Sequence, residues 1–318
     1  MLGSALSALS DRVDSKFLTA YWLPAFVFAL GGFIILAICV GIAQIDTWIY
    51  DLDSVEQSLG VLLIVLLITM VGFVLRALTR PIAEAFSGAG LPRAVADWST
   101  RGQLRAKQRA RKLISGGGNT NTAAMLRSLE NRFPADDADL QPTLLGNVVA
   151  SAGEHPRFAY SMEGSLWWPR LAPLLPGYFQ DILGGAQAPT MGLLNLTVVF
   201  IALAPLGMIV LGVMGSRWVA AIVTTVVVFI LARLCYLAAV SQAAELASQL
   251  RVAFDLYRYE ILNQLDFDRP GDLAAERDLW RRLASEILAI PAPSSPKASA
   301  DSEPAPTPAE TDQPTAGS

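Results

Sequence analysis

The sequence contains few of the side chains that carry most protein chemistry. It has one histidine, His155, and two cysteines, Cys39 and Cys235, among 318 residues. Zinc sites usually draw several ligands from these two residue types, and a Ser-His-Asp site needs a histidine buried between defined partners. His155 stands in "SAGEHPRF", a composition typical of a solvated loop. We therefore predict a protein that is not an enzyme, with no metal, no cofactor and no disulfide framework.

Charged residues are also scarce, at 16% against 53% hydrophobic residues, and the mean hydropathy is +0.43. This composition comes from four long apolar runs, at 23–45, 59–79, 194–214 and 218–240. At about 1.5 Å per residue, each run covers the hydrocarbon core of a bilayer, which is about 30 Å thick. Only helices satisfy their own backbone across that distance in an open chain. The fold class predicted is all-α, with four transmembrane helices in two hairpins.

Lysine and arginine are distributed unevenly between the loops of these hairpins. The loop at 46–58 has none, and the loop between the third and fourth runs has only Arg217. By contrast, thirteen lie from Arg76 to Arg170 and seven lie in 241–318. The positive-inside rule places the richer side in the cytoplasm. We expect a multi-pass protein of the cytoplasmic membrane with both termini and the central region cytoplasmic.

Six segments follow from this topology. They are an amphipathic N-terminus at 1–22, hairpins at 23–79 and 193–240, a cytoplasmic helical domain at 80–192, a cytoplasmic helical extension at 241–290 and a tail at 291–318. The tail has seven prolines and no aromatic residue, so we predict that it is disordered. The N-terminus repeats apolar residues at helical spacing, which indicates either a helix on the inner membrane surface or an extension of the first span; these residues are Leu2, Leu6, Leu9, Val13 and Phe17.

Helical patterns also fill the central domain. One helix is predicted from Pro92 to Gly116, and another from Pro142 with its inward face at Leu145, Val148 and Val149. The first of these carries a basic run, made of Arg101, Arg105, Lys107, Arg109, Arg111 and Lys112. Because no aromatic residue is interleaved, the run does not favour nucleic acid. A surface facing anionic lipid headgroups and a solvated helix face are equally good interpretations.

The stretch "LWWPRLAPLLPGYF" at 166–179 is rich in tryptophan and proline but too short and too broken to cross a membrane. Its large apolar side chains must either pack against protein or lie at the headgroup level. We favour packing against the other cytoplasmic helices, with the segment as the joint that holds them under the membrane. The interaction candidates here are Trp167, Trp168, Arg170 and Leu171.

The chain has neither glycine nor proline from Ser216 to Arg269. The fourth span is therefore predicted to continue as a helix well beyond the bilayer, until Pro270 and Gly271 end it and Asp272 caps a second helix. A stripe of coiled-coil type follows the continuation, through Leu246, Leu250, Phe254, Tyr257, Ile261 and Leu265. It closes either an intramolecular helical core or a contact in a homo-oligomer. Phe254, Tyr257 and Ile261 complete the interaction candidates.

Three patches resemble a family of uncharacterised bacterial multi-pass membrane proteins. They are "KFLTAYWLP" at 16–24, "ENRFP" with "LQPTLLGNVV" within 130–149, and "WPRLAPLLP" at 168–176, the last followed by "LLN" at 193–195. The family motifs they match are F-L-x-A-Y, P-T-x-L-G-N and W-P-R-L-x-P-L-L-P. The resemblance implies a bacterial membrane protein and no particular chemistry.

The function expected from these patterns is that of a membrane-anchored scaffold or sensor acting through protein contacts, with an unidentified protein partner. An oligomeric channel or transporter subunit is the alternative. A shared polar face of Asn195, Thr197, Thr224 and Thr225 would favour the channel.

Overall fold

A computed structural model describes residues 15–50, 53–116, 126, 129 and 131–289. Across these residues the chain is all-α, with no strand. Its helices are α1 (Ser15–Val40), α2 (Ile42–Tyr50), α3 (Ser54–Ala77), α4 (Thr79–Ser87), α5 (Arg93–Gly116), α6 (Leu144–Tyr160), α7 (Gly164–Leu171), α8 (Gly177–Met214), α9 (Trp218–Gln264) and α10 (Leu273–Leu288). The predicted tail and the first four residues of the N-terminal apolar stripe lie outside the described residues.

Four helices of the described chain are long and apolar enough to cross a membrane, namely α1, α3, α8 and α9. The sequence predicted all four, but the first run ends earlier than expected. We predicted a span to residue 45, whereas α1 ends at Val40 because Gly41 has φ of 99°, a conformation that favours glycine. The chain then resumes as α2, so the first hairpin has a helical connection.

The spans are joined at both ends of the bundle. At the end where α1 begins, the Thr79 hydroxyl donates to the Tyr21 hydroxyl at 3.2 Å, and the Asn195 side chain donates to the Ala20 carbonyl at 2.7 Å. At the opposite end, the Cys39 thiol lies 3.5 Å from the Val210 carbonyl. Helices α4 to α7, α10 and the outer parts of α8 and α9 extend from the end where α1 begins. We call them the helical domain.

Helix α1 does not lie separately on the membrane surface before its span. Residues 15–22 run directly into it, and the Phe17 ring packs 5.2 Å from the Phe73 ring. The turn Leu18–Trp22 is π-helical, and the Leu23 amide donates to the Leu18 carbonyl. For these residues the structure therefore favours an extension of the first span.

Helix α6 is longer than its sequence pattern indicated. Thr143 caps it by accepting a hydrogen bond from the Gly146 amide at 2.9 Å, and it continues through Pro156 to Tyr160. The prediction of a loop in "SAGEHPRF" is wrong, because Pro156 is buried and tertiary packing holds the helix despite the missing amide. Leu145 and Val148 face inward as predicted, but Val149 is 59% exposed and the prediction for it is wrong.

Candidate functional site

The proline-broken segment 166–179 packs into the centre of the helical domain. Trp167 of α7 and Trp280 of α10 are both fully buried, with ring centroids 4.8 Å apart and an interplanar angle of 72°. Such an edge-to-face pair is a favoured aromatic geometry. Leu171 lies in the same core, and the Trp168 ring is 6.1 Å from the ring of Phe254 on α9. The segment thus joins α7, α9 and α10, and its short 3-10 turn Ala172–Leu174 leads into α8.

The stripe along α9 closes this core from the other side. Phe254 and Ile261 are buried in it, while Leu246, Leu250 and Tyr257 pack against it. The Tyr257 hydroxyl is 2.6 Å from the Tyr178 hydroxyl at the start of α8. Leu265 lies beyond the end of α9 and is exposed. The stripe therefore completes an intramolecular core.

This core changes the role of most sequence-predicted interaction residues. Trp167, Leu171, Phe254 and Ile261 are buried inside one chain, so they do not form a surface for a protein partner while the domain is folded. Trp168 and Tyr257 are partly buried. Arg170 is exposed, and its guanidinium donates to the Leu166 carbonyl at 2.6 Å. Most of these candidates therefore lie in one core cluster or pack against it.

A buried ion pair ties α9 to α10 at the edge of the core. The Arg258 guanidinium lies 2.6 Å from the Glu276 carboxylate, and Glu276 also accepts hydrogen bonds from the Tyr259 hydroxyl at 2.9 Å and the Trp280 indole at 3.3 Å. Burial opposes ionisation of Glu276, but these three donors outweigh it, and the pKa of Glu276 lies below its ordinary value. The pair fixes the angle at which α10 returns to α9, as Asp272 does by capping the Ala275 amide.

A second polar contact ties α6 to α9. The His155 Nε2 atom is 2.6 Å from the Asp255 carboxylate, which also accepts from the Tyr160 hydroxyl at 2.8 Å. Burial and this hydrogen bond raise the pKa of Tyr160 to about 12. His155 thus lies on a helix and has a defined partner, in place of the solvated loop position expected from the sequence. Across the described residues, no group of three histidine, cysteine or acidic side chains is placed to hold a metal.

Between these contacts and the spans lies a cavity of about 580 Å³, which we call the groove. One wall is apolar and comes from α8 and α9, with Met191, Leu194, Leu246, Leu250 and Phe254. The other wall comes from α6, the loop before it and the first turn of α7. That wall carries the polar side chains Asp139, Gln141, Glu154, Arg157, Glu163 and Ser165. The groove is therefore amphipathic in cross-section.

The polar wall of the groove has a buried carboxyl at its centre. Glu154 is only 7% exposed; its Oε2 atom accepts from the Ala135 amide at 2.6 Å, and its Oε1 atom makes no hydrogen bond among the described residues. Arg157 lies 3.9 Å from that oxygen, but its guanidinium is 2.5 Å from the Asp139 carboxylate. Burial, with the nearby charge of Asp139, raises the pKa of Glu154. The hydrogen bond from Arg157 lowers the pKa of Asp139.

The basic run on α5 needs one correction. Lys107 is only 1% exposed, and its ammonium donates to the Ala135 carbonyl at 3.1 Å and to the Asp137 carboxylate. A lysine ammonium satisfied in this way is a structural link to the segment before α6, and it belongs to no membrane-facing surface. Arg101, Arg105, Arg109, Arg111 and Lys112 are exposed, with Arg111 also 3.4 Å from the Ala135 carbonyl.

The residues of the three sequence patches make close contacts with other parts of the bundle. In "PTLLGN", Gly146 has no room for a side chain because a Cβ atom would lie 2.3 Å from the Ser87 carbonyl, and Asn147 accepts from the Gln141 amide at 2.7 Å. Trp168 and Pro169 of the "WPRLAPLLP" patch line the groove. Asn195 of "LLN" holds the Ala20 carbonyl in the "KFLTAYWLP" patch. These patches are the structural joints of the bundle.

Comparison with family models, with curated proteins and with solved structures found no match for this chain. The family resemblance therefore stays a prediction. Sequence reasoning missed Asp139, Glu154 and Arg157, because the loop assigned to "SAGEHPRF" hid the helical spacing that turns Glu154 and Arg157 toward one wall.

Proposed function

We propose that this chain is a non-enzymatic sensor or scaffold of the bacterial cytoplasmic membrane, in which the second hairpin couples the bilayer to the helical domain. One observation carries the proposal: α8 and α9 continue without interruption from their apolar spans into the helical domain and form part of its core. A conformational change in the helical domain therefore moves the adjoining ends of the spans in α8 and α9. The concentration of lysine and arginine at that end supports a cytoplasmic domain with both termini on the same side.

The coupling requires that α9 behave as one rigid rod across the membrane boundary. Nitroxide labels at Leu237 and Leu256, in a chain with Cys39 and Cys235 replaced by serine, test this in lipid nanodiscs. Both sites are exposed, and nineteen residues of α-helix separate them by about 28 Å. We expect a narrow distribution of distances between the two labels, centred near that separation of about 28 Å.

Ser241→Pro should broaden this distribution, because proline in a helix interior removes a hydrogen bond and clashes with the preceding turn. Val219→Pro is the matched control, since it lies in the first turn of α9, where proline is tolerated. A broad distribution in the unmodified helix would contradict rigid coupling and with it the proposed function.

The channel alternative receives less support. The Thr197 and Thr225 hydroxyls each donate to a carbonyl of their own helix at 2.8 Å, and Asn195 is buried against Ala20. The Thr224 methyl points toward Gly207 of α8. These polar side chains therefore make their contacts within or between helices of the chain. A chain-dependent flux of ions or small solutes from liposomes would overturn the proposal in favour of a pore.

Protein partners and anionic lipid headgroups are further parts of the proposal. Among the residues of the basic run, the exposed cations Arg101, Arg105, Arg109, Arg111 and Lys112 are the ones that can meet headgroups, each contributing about 1 kcal/mol if it lies near the membrane surface. A homo-oligomer would have to use surfaces other than the buried residues of the α9 stripe.

A further inference from the structure

We propose that the groove is a binding site for a membrane amphiphile with an apolar chain and a primary-amine head, the chain along α8 and α9 and the head at Glu154. The binding itself stands on the groove alone. Only its role as the signal that the domain detects rests on the proposed function.

The size and lining of the groove fit a small apolar ligand. Its volume of about 580 Å³ falls within the range of about 300–1,000 Å³ that is usual for ligand pockets, which are mostly apolar with a few polar groups. Its lining on α9 runs from Ala243 to Phe254, which corresponds to about 17 Å along the helix. An apolar wall of that length matches an extended alkyl chain better than a compact ring.

The position of the groove indicates entry from the bilayer. Leu194 lines the groove and is also the first residue of the third apolar run, and Ala243 lines it three residues after the end of the fourth run. The apolar wall therefore begins where the spans leave the membrane. An amphiphile that moves out of the inner leaflet keeps its chain in apolar surroundings along this path.

The charges on the opposite wall select the head. Three carboxyl groups and one guanidinium line the groove, and the guanidinium of Arg157 is engaged by Asp139. This leaves a net excess of negative charge at Glu154 and Glu163. The Oε1 atom of Glu154 is buried without a hydrogen bond among the described residues, which is a costly state for a carboxylate. An ammonium group supplies the hydrogen-bond donor that this oxygen lacks and adds to the positive charge of Arg157, 3.9 Å away, whereas a carboxylate or phosphate head alone would be repelled.

Thermal unfolding of the full chain in phosphatidylcholine nanodiscs tests the proposal with three probes of equal chain length. Dodecylamine should raise the unfolding temperature in a saturable way, and dodecanol and dodecanoate should raise it much less. A lipid arm compares lysophosphatidylethanolamine with lysophosphatidylcholine, which differ in the primary amine. Preference for lysophosphatidylethanolamine identifies the source as a lipid, and binding of dodecylamine without that preference identifies a free long-chain amine.

Two variants remove the chain site and the head site separately. Leu246→Trp fills the groove and should abolish the dodecylamine effect, while Leu256→Trp, on an exposed part of α9 outside the groove, should retain it. Glu154→Gln should weaken dodecylamine binding about tenfold or more and leave dodecanol unchanged, because it removes only the charged hydrogen bond. Glu245→Gln, an exposed acid of α9 outside the groove, is the control for charge.

Equal binding of the amine, the alcohol and the acid would overturn the assignment of the head, and undiminished binding in Leu246→Trp would overturn the groove as the site. Either result leaves rigid coupling through α9 intact, because the label-distance experiment does not depend on a ligand. A broad label distance together with normal amine binding would instead refute the proposed function and keep the site.

Discussion

The two hairpins have similar hydropathy but differ in how their helices contact the rest of the chain. Helix α3 of the first hairpin buries only Ile68, Gly72 and Leu75, all in its second half, and it ends at Ala77. Helix α8 of the second hairpin has buried residues from Phe179 to Gly207, and α9 extends 24 residues beyond Val240. Hydropathy therefore identifies a membrane-spanning helix but does not indicate how much of that helix is buried against the rest of the chain. Within the apolar windows of the spans, 39% of α8 is buried against 17% of each of the other three, and among these four described helices only α8 and α9 continue into the core of the helical domain.

The largest effect is expected where the second hairpin meets the tryptophan core. Phe254→Asp places an unpaired charge in a buried site, which should cost on the order of 4 kcal/mol or more and unfold the helical domain. Tryptophan emission should shift to longer wavelength as Trp167 and Trp280 become exposed. Leu256→Asp, two residues away and 63% exposed, should change stability by no more than about 0.5 kcal/mol. Similar stability of the two variants would mean that the core is not the element that holds the domain.

Matched leucine deletions in the two hairpins give the next largest contrast. Leu203 of α8 is buried against α1, whereas Leu66 of α3 is 56% exposed. Leu203→Ala should therefore cost about 2–4 kcal/mol in denaturant unfolding within mild detergent, because it leaves a cavity. Leu66→Ala should cost less than about 1 kcal/mol. An equal loss would show that α3 has a protein neighbour along its exposed half.

Glycine-to-alanine substitutions in α8 and α3 compare the two hairpins by adding a methyl group to each. A Cβ atom at Gly192 of α8 would lie 2.7 Å from the Thr19 carbonyl, while at Gly60 of α3 none of the described atoms would come within 4 Å. Gly192→Ala should destabilise the bundle by about 1–3 kcal/mol through overpacking. Gly60→Ala should stabilise it by up to about 1 kcal/mol, because alanine is the better helix former. Stabilisation by both would show that α1 and α8 are not in close contact.

The smallest effect concerns the dependence of stability on pH, which should come from the groove beside the second hairpin. Burial raises the folded-state pKa of Glu154, so its contribution is fully present below the unfolded pKa and is lost as the pH rises through the folded value. Glu154→Gln should therefore unfold at a temperature a few degrees above that of the unmodified chain at pH 8. The difference should disappear near pH 4.

Asp139 provides a control with the opposite sign. Its hydrogen bond from Arg157 lowers its folded-state pKa, so its contribution is present above the unfolded pKa and is lost as the pH falls through the folded value. Asp139→Asn should lower the unfolding temperature at pH 8 and lose this effect in strong acid. Parallel pH profiles for the two variants would contradict the arrangement of charges in the groove.

The sequence predicted the features that depend on local chemistry. The absence of glycine and proline from Ser216 to Arg269 predicted the long α9, and Asp272 predicted where α10 begins. The end of α9 was placed too late, because the helix stops at Gln264 and Asp266 has φ of 59°, ahead of Pro270. The prolines of 166–179 predicted that the helix is broken in this segment. Each of these follows from backbone rules that hold in any surroundings.

The features that depend on distant neighbours were not predictable in this way. Lys107 looks like any basic surface residue until Ala135 and Asp137 are folded onto it. Pro156 normally argues against a helix, and only its burial in the domain overrides that preference. Glu154 became a candidate only because the same helix carries it into the groove. Gly41 and the π-turn in α1 likewise reflect conformation that no periodic pattern shows.

The π-turn Leu18–Trp22 has a consequence for how the chain enters the bundle. Hydrogen bonds in a π-turn reach one residue further than in an α-helix, so the turn accommodates one residue beyond the regular helical path. If it relaxed to an α-helix, everything before it would rotate by about 100° around the axis of α1. Asn195 and Gly192 hold this turn from the second hairpin. The rotation of Ser15 about the axis of α1 is therefore set by the side chain of Asn195. That side chain binds the Ala20 carbonyl, which lies 175 residues earlier in the sequence.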